Sequence, residues 1–141
     1  MAARGATAAG QGTHPEVMRY CTQEVLERNA FHGSMEAVKS VADRLRAMTG
    51  VVGDGARLVD NTLTPRQRTR PRAAINDFLS TTDRDEQNGF ANLCKELFSM
   101  FRNPVAHDPR IKRKVTDDEF LETLTVASLI HRRLDVAVVG P

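Results

Sequence analysis

Apolar residues recur every three or four positions along most of this chain, the spacing that lines one face of an α-helix. His14-Pro15-Glu16 reads as a helix start, with Pro at the first helical position and an acid in the first turn. Val17, Cys21 and Val25, with Tyr20 close by, then share a face. A second helix is predicted from about residue 31 to 49, with Met35, Val38, Ala42, Leu45 and Met48 as its apolar stripe and Gly50 as its stop. Asp54, in the turn Gly53-Asp54-Gly55, is placed to cap a short helix that reaches Leu63. Thr82-Asp83 opens a long helix to about Phe101, with Phe90, Leu93, Cys94, Leu97 and Phe98 facing inward. Pro104 ends it by disfavouring helical geometry at Asn103. Thr116 and Glu119 form a capping box for the last helix, which carries Phe120, Leu124, Ala127, Ile130 and Leu134 and runs to about Val139.

The intervening text is different. Residues 64–72, TPRQRTRPR, hold two prolines, four arginines and no large apolar side chain, and read as a mobile loop. Residues 73–79 form a short buried segment, helical or irregular, and residues 108–114, DPRIKRK, a basic loop. No period-2 alternation is long enough to argue for a sheet, and there is no internal repeat. The expected fold class is all-α, a bundle of four main helices plus a short one over residues 14–139, after a disordered tail over 1–13.

Composition narrows the class. A chain of 141 residues with 27% charged and 40% hydrophobic positions fits one soluble domain with a modest core. No apolar run is long enough to span a bilayer, and the Ala- and Gly-rich start lacks the apolar stretch of a secretory signal. Cys21 and Cys94 stand alone, without metal-ligand spacing, which reads as two buried thiols in a reducing cytoplasm. Net charge is only +2, yet 16 of the 20 basic residues are arginine. Arginine grips phosphate in a fork and stacks on bases, which leans toward nucleic acid; a GC-rich genome produces the same bias.

The candidate chemistry lies in residues 102–107, Arg-Asn-Pro-Val-Ala-His. Within one short turn they bring a permanent cation, an amide and the one side chain that titrates near neutrality, which is what metal-free cleavage of a phosphodiester requires. The ordinary alternative is a helix C-terminal arginine answering the dipole, followed by an exposed loop histidine. Arg110, Lys112, Arg113 and Lys114 adjoin the motif and are expected to meet RNA phosphates. Arginines 66, 68, 70 and 72 either do the same or form a solvated loop. His131, beside Arg132 and Arg133, is expected near the surface of the last helix, bordering an RNA path. His14 reads as a helix-entry residue and His32 as a packed or exposed helix residue. Glu36, Lys39 and Asp43 read as a solvated charge stripe or, more sharply, an ion pair toward the motif. Few aromatics lie near these loops, so strong base specificity is not indicated.

The sequence resembles the HEPN superfamily, and within it the bacterial proteins carrying a Ymh-type HEPN domain. The resemblance rests on Arg102, Asn103 and His107 as an Arg-(polar)-x3-His motif between the third and fourth main helices. It also rests on the blocks GDGARLVDNTL (53–63), AIND (74–77), EQNGFANL (86–93), FRNPVAHD (101–108) and TVASLIHRRLD (125–135). It spans about residues 14–138. What the resemblance implies is a metal-independent endoribonuclease without cofactors, deployed in phage defence, abortive infection or a toxin–antitoxin system. It implies a homodimer in which the motifs of both protomers meet, and an antitoxin or defence-system protein as partner. His107 would take the proton of a ribose 2′-OH, the two Arg102 side chains would stabilise the phosphorane, and Asn103 would orient the histidine or bind phosphate. A 2′,3′-cyclic phosphate would result. Pro109 stands where antitoxin-modified HEPN toxins carry tyrosine, so that mode of control is not implied. The alternative within the resemblance is a non-catalytic HEPN module that binds RNA or a nucleotide, or that dimerises within a larger defence complex.

Overall fold

A computed structural model describes residues 12–22, 29–67, 69–101 and 114–140. The chain is all-α in class, and the described residues form five helices and one small sheet. These are α1 (Pro15–Tyr20), α2 (Ala30–Thr49), α3 (Gly55–Thr62), β1 (Ala73–Ala74), α4 (Thr81–Met100), α5 (Asp117–Asp135) and β2 (Val138–Val139). The tail expected over residues 1–13 lies, save for Gly12 and Thr13, outside the described residues, as does Val25. The described residues fall into two compact units, one within Met1–Val41 and Phe101–His131, the other within Ala42–Met100 and Arg132–Pro141.

Local capping chemistry sets the helix ends. His14 caps α1 by accepting the Glu16 N–H on its Nδ1 at 3.0 Å, and Pro15 takes the first helical position. Asn29 Oδ1 accepts the His32 N–H at the start of α2. Gly50, at φ +73°, provides the left-handed residue that closes α2, its N–H returning to Arg46 O at 2.8 Å. Asp54 caps α3 through the Gly55 N–H at 2.9 Å. For α4 the capping pair is Ser80 and Asp83: Ser80 Oγ accepts the Asp83 N–H at 3.0 Å, and Asp83 Oδ2 accepts the Leu79 N–H at 3.0 Å. Thr116 caps α5, accepting the Glu119 N–H at 3.1 Å.

In the first unit α2 buries Gly33, Ser34, Ala37, Val38, Ser40 and Val41. The expected stripe is therefore only partly right, because Met35 is half-exposed while small residues on a neighbouring face are buried. Gly33 shows why small residues occupy that face: a Cβ there would stand 2.6 Å from Cε1 of Phe120 on α5. Val17, Cys21, Phe120, Leu124, Ala127 and Ile130 complete this unit's core.

In the second unit α3 packs on α4, with Leu58, Val59, Leu63, Phe90, Ala91, Cys94, Leu97 and Phe98 buried. Two expectations are corrected here. The last helix stops at Asp135 rather than near Val139, and the chain then turns into β2. Of the segment 73–79, Ala73–Ala74 form a strand, pairing antiparallel with β2 in the register Ala73↔Val139 and Ala74↔Val138, while 75–79 are irregular as expected and Asp77 and Leu79 are exposed rather than buried. Gly140 N–H adds a bond to Arg72 O at 2.8 Å.

Buried Gln87 of α4 ties these parts together. Its Nε2 donates to Leu63 O at 2.9 Å and Ala73 O at 3.0 Å, while its Oε1 accepts the Ile75 N–H at 2.9 Å. One amide thus satisfies three backbone groups, one at the C-cap of α3 and two in or beside β1. Within the expected loop 64–72 the described residues carry several specific bonds. Arg66 and Thr69 form a β-bridge with the Thr69 N–H on Arg66 O at 2.9 Å, and Arg72 Nε donates to Thr49 O at 3.2 Å.

Candidate functional site

Arg102, Asn103 and His107, together with Arg110, Lys112 and Arg113, lie outside the described residues. The flanks of this stretch are described. Helix α4 ends at Met100, Phe101 is buried, and Lys114 is exposed two residues before the Thr116 cap of α5. Of the expected RNA contacts, Lys114 therefore stands at the surface.

His131 does not. Its side chain is fully buried, and the expectation of a surface histidine bordering an RNA path is overturned. Its Nε2 lies 2.9 Å from Ser40 Oγ, and Ser40 Oγ itself donates to Ala37 O at 2.5 Å. A hydroxyl has one proton, so Ser40 must accept from an Nε2–H on His131. A serine–histidine nucleophile would need the opposite direction, with the hydroxyl donating to the ring. This pair therefore fastens α2 to α5. Its ring stacks on His14, centroids 5.0 Å apart and planes inclined by 23°. His14 adds a backbone N–H bond to Ser128 Oγ at 3.0 Å, which ties the start of α1 to α5. The sequence offered one cue for this burial: His131 follows Ile130 and precedes Leu134 at helical spacing from Ala127.

The thiols are equally structural. Burial, with the Glu36 charge second, pushes the Cys21 pKa up to about 12, and its Sγ donates to Gly33 O at 3.5 Å. Burial alone pushes Cys94 up to about 12. Thiols held neutral in this way are poor nucleophiles and poor metal ligands. Among the described residues, no group of three or more His, Cys, Asp or Glu side chains is placed to hold a metal ion. Nor is any helix among them long and apolar enough to cross a membrane.

Some surface charges are paired. Arg44 pairs with Asp135 at 2.6 Å, Arg46 with Asp43, and Lys95 with Asp60. Asp43 of the expected charge stripe thus serves an ion pair within its own helix, while Lys39 is exposed. The Asp60 carboxyl is held below its ordinary value, first by the Lys95 hydrogen bond and also by Thr64 and by the Lys95 and Arg66 charges. Exposed Arg57 and Arg70 make no ion pair or side-chain hydrogen bond among the described residues.

Neither curated proteins nor solved structures yield a match to the chain. A family model described as "Protein of unknown function (Hypoth_ymh)" matches residues 11–134. That span runs from before the His14 cap of α1 to the last turn of α5, and takes in the 102–107 motif and the buried His131. The chain belongs to the Hypoth_ymh family.

Proposed function

We propose that the protein is a metal-independent endoribonuclease of HEPN type, acting as a homodimer whose motifs meet at the interface. The observation that carries this reading is the Arg-Asn-x3-His sequence at 102–107, set between the end of α4 and the cap of α5 within the family span. His107 takes the proton from a ribose 2′-OH as that oxygen attacks the adjacent phosphorus. The leaving 5′-oxygen receives a proton from the partner protomer's copy of the same histidine, or from water. Arg102 stabilises the charge that gathers on the non-bridging oxygens, and Asn103 orients the imidazole or binds phosphate. DNA is spared because it lacks the 2′-OH. Arg110, Lys112, Arg113 and Lys114 attract the RNA backbone. Phage defence or a toxin–antitoxin system in the cytoplasm is the setting we propose, with an antitoxin or defence protein as restraint.

The test is cleavage of RNA by the purified protein in the presence of EDTA. Activity is expected to persist with chelator and to be lost in both Arg102→Ala and His107→Ala while the helical signal is retained. Activity abolished by chelator alone contradicts the metal-free reaction.

A further inference from the structure

We propose that Arg57, Arg66 and Arg70 form a docking surface for the phosphate backbone of a nucleic-acid strand. Arg57 and Asn61 lie four residues apart on α3 and are neighbours on its surface. Asn61 Oδ1 accepts from Arg66 Nη2 at 2.9 Å. The two arginines therefore flank one amide, although they come from different elements. Arg66 and Thr69 are bridged, Gln67 lies at φ +54°, and exposed Arg70 follows Thr69 directly in the chain.

Arg57 and Arg70 make no ion pair among the described residues, and Arg66 shares the single Asp60 charge with Lys95. All three arginines are exposed. Arg66 is oriented by the neutral Asn61 amide, and the Asp60 carboxylate that feels its charge takes its strongest bond from Lys95. Asp60 is the one acid between residues 55 and 72, and it is engaged by Lys95 and by Thr64 Oγ1 at 2.8 Å. Elsewhere in this unit Arg44 and Arg46 are each matched by a carboxylate. Grouped like charges cost stability in the isolated protein, and a polyanion relieves that cost. The overall charge of +2 gives no general attraction, so the effect is local. A guanidinium presents a planar fork that fits phosphate oxygens, and sequential phosphates suit several such forks. This surface needs no cleavage at the 102–107 motif, and stands or falls apart from it.

The experiment is a salt titration of binding by the full chain, read by fluorescence anisotropy. The probes are a 2′-O-methyl RNA strand, which cannot undergo 2′-OH attack, and a DNA strand of the same sequence. Each phosphate contact contributes about 0.7 to the slope of log affinity against log salt for single strands. The triple variant Arg57→Ala/Arg66→Ala/Arg70→Ala is expected to lower that slope by about 2 on both probes. The corresponding triple lysine variant retains most of the slope. Charge-matched Arg84→Ala/Arg132→Ala/Arg133→Ala leaves it within about 0.7 of the unchanged protein. Equal loss in both alanine triples, no loss in the first, or no binding of either probe overturns the proposal. Competition by polyglutamate as effective as by nucleic acid at equal charge also overturns it, in favour of an acidic protein partner.

Discussion

Ser40 Oγ and His131 Nε2 meet at 2.9 Å in the interior of the first unit, and Ala37 O, by taking the serine proton, fixes which of them donates. A histidine in this position is a fastener between α2 and α5. Replacing it by alanine empties a fully buried site and orphans the Ser40 hydroxyl lone pair. His131→Ala is expected to cost about 2–4 kcal/mol in urea denaturation. Ser40→Ala, which leaves a buried imidazole N–H unsatisfied, should cost about 1–3 kcal/mol. A His131→Ala protein as stable as the parent contradicts the structural role.

Gln87 is the corresponding fastener of the second unit. Gln87→Ala removes partners from Leu63 O, Ala73 O and Ile75 N together, and is expected to cost about 3 kcal/mol or more. Gln87→Glu keeps an acceptor for Ile75 but turns a carboxylate toward two carbonyl oxygens. That variant should be less stable near pH 7 than near pH 4, where protonation returns one donor. Amide exchange at Ile75 gives the local reading. Protection of that amide unchanged in Gln87→Ala would refute the assignment.

How much of this was legible in the residues follows from the range of the interactions involved. The caps at His14, Asp54 and Thr116 and the stop at Gly50 were legible, because a cap is decided within four residues. The inward face of α4 was largely legible too, since Phe90, Cys94, Leu97 and Phe98 are large and apolar. The contact face of α2 was not. Gly33, Ser34 and Ser40 are small or polar, and only Phe120, far along the chain, gives Gly33 its meaning. The pairing of β1 with β2 was hidden for the same reason, two residues being too few to show alternation. His131 looked like a surface residue, and Gln87 gave no sign of its role, because burying them depends on partners outside their own helices. The 102–107 motif was legible as chemistry, while its residues lie outside those the structure describes.

The two thiols give a pH-dependent prediction. Both are pushed from an ordinary value of 9.0 to about 12, so the folded state favours the neutral form of each. Protons are then held more tightly by the folded chain than by the unfolded one. The associated stability is fully present below about pH 9 and is lost as pH rises toward 12. Iodoacetamide at pH 8 should leave Cys21 and Cys94 unmodified in the folded protein and label both in denaturant, as read by mass spectrometry. Rapid labelling of the folded protein at either position contradicts the burial argument.

The chemistry of the RNA ends decides whether the motif between α4 and α5 cleaves by 2′-OH attack. Purified protein is incubated with total RNA and EDTA, and new termini are mapped after treatment that distinguishes 2′,3′-cyclic phosphates from simple 3′-phosphates and 3′-hydroxyls. New 2′,3′-cyclic ends are expected with the parent protein and none with His107→Ala or Arg102→Ala. Cleavage that leaves 3′-hydroxyl ends, or that continues undiminished in the His107→Ala protein, would contradict that reaction.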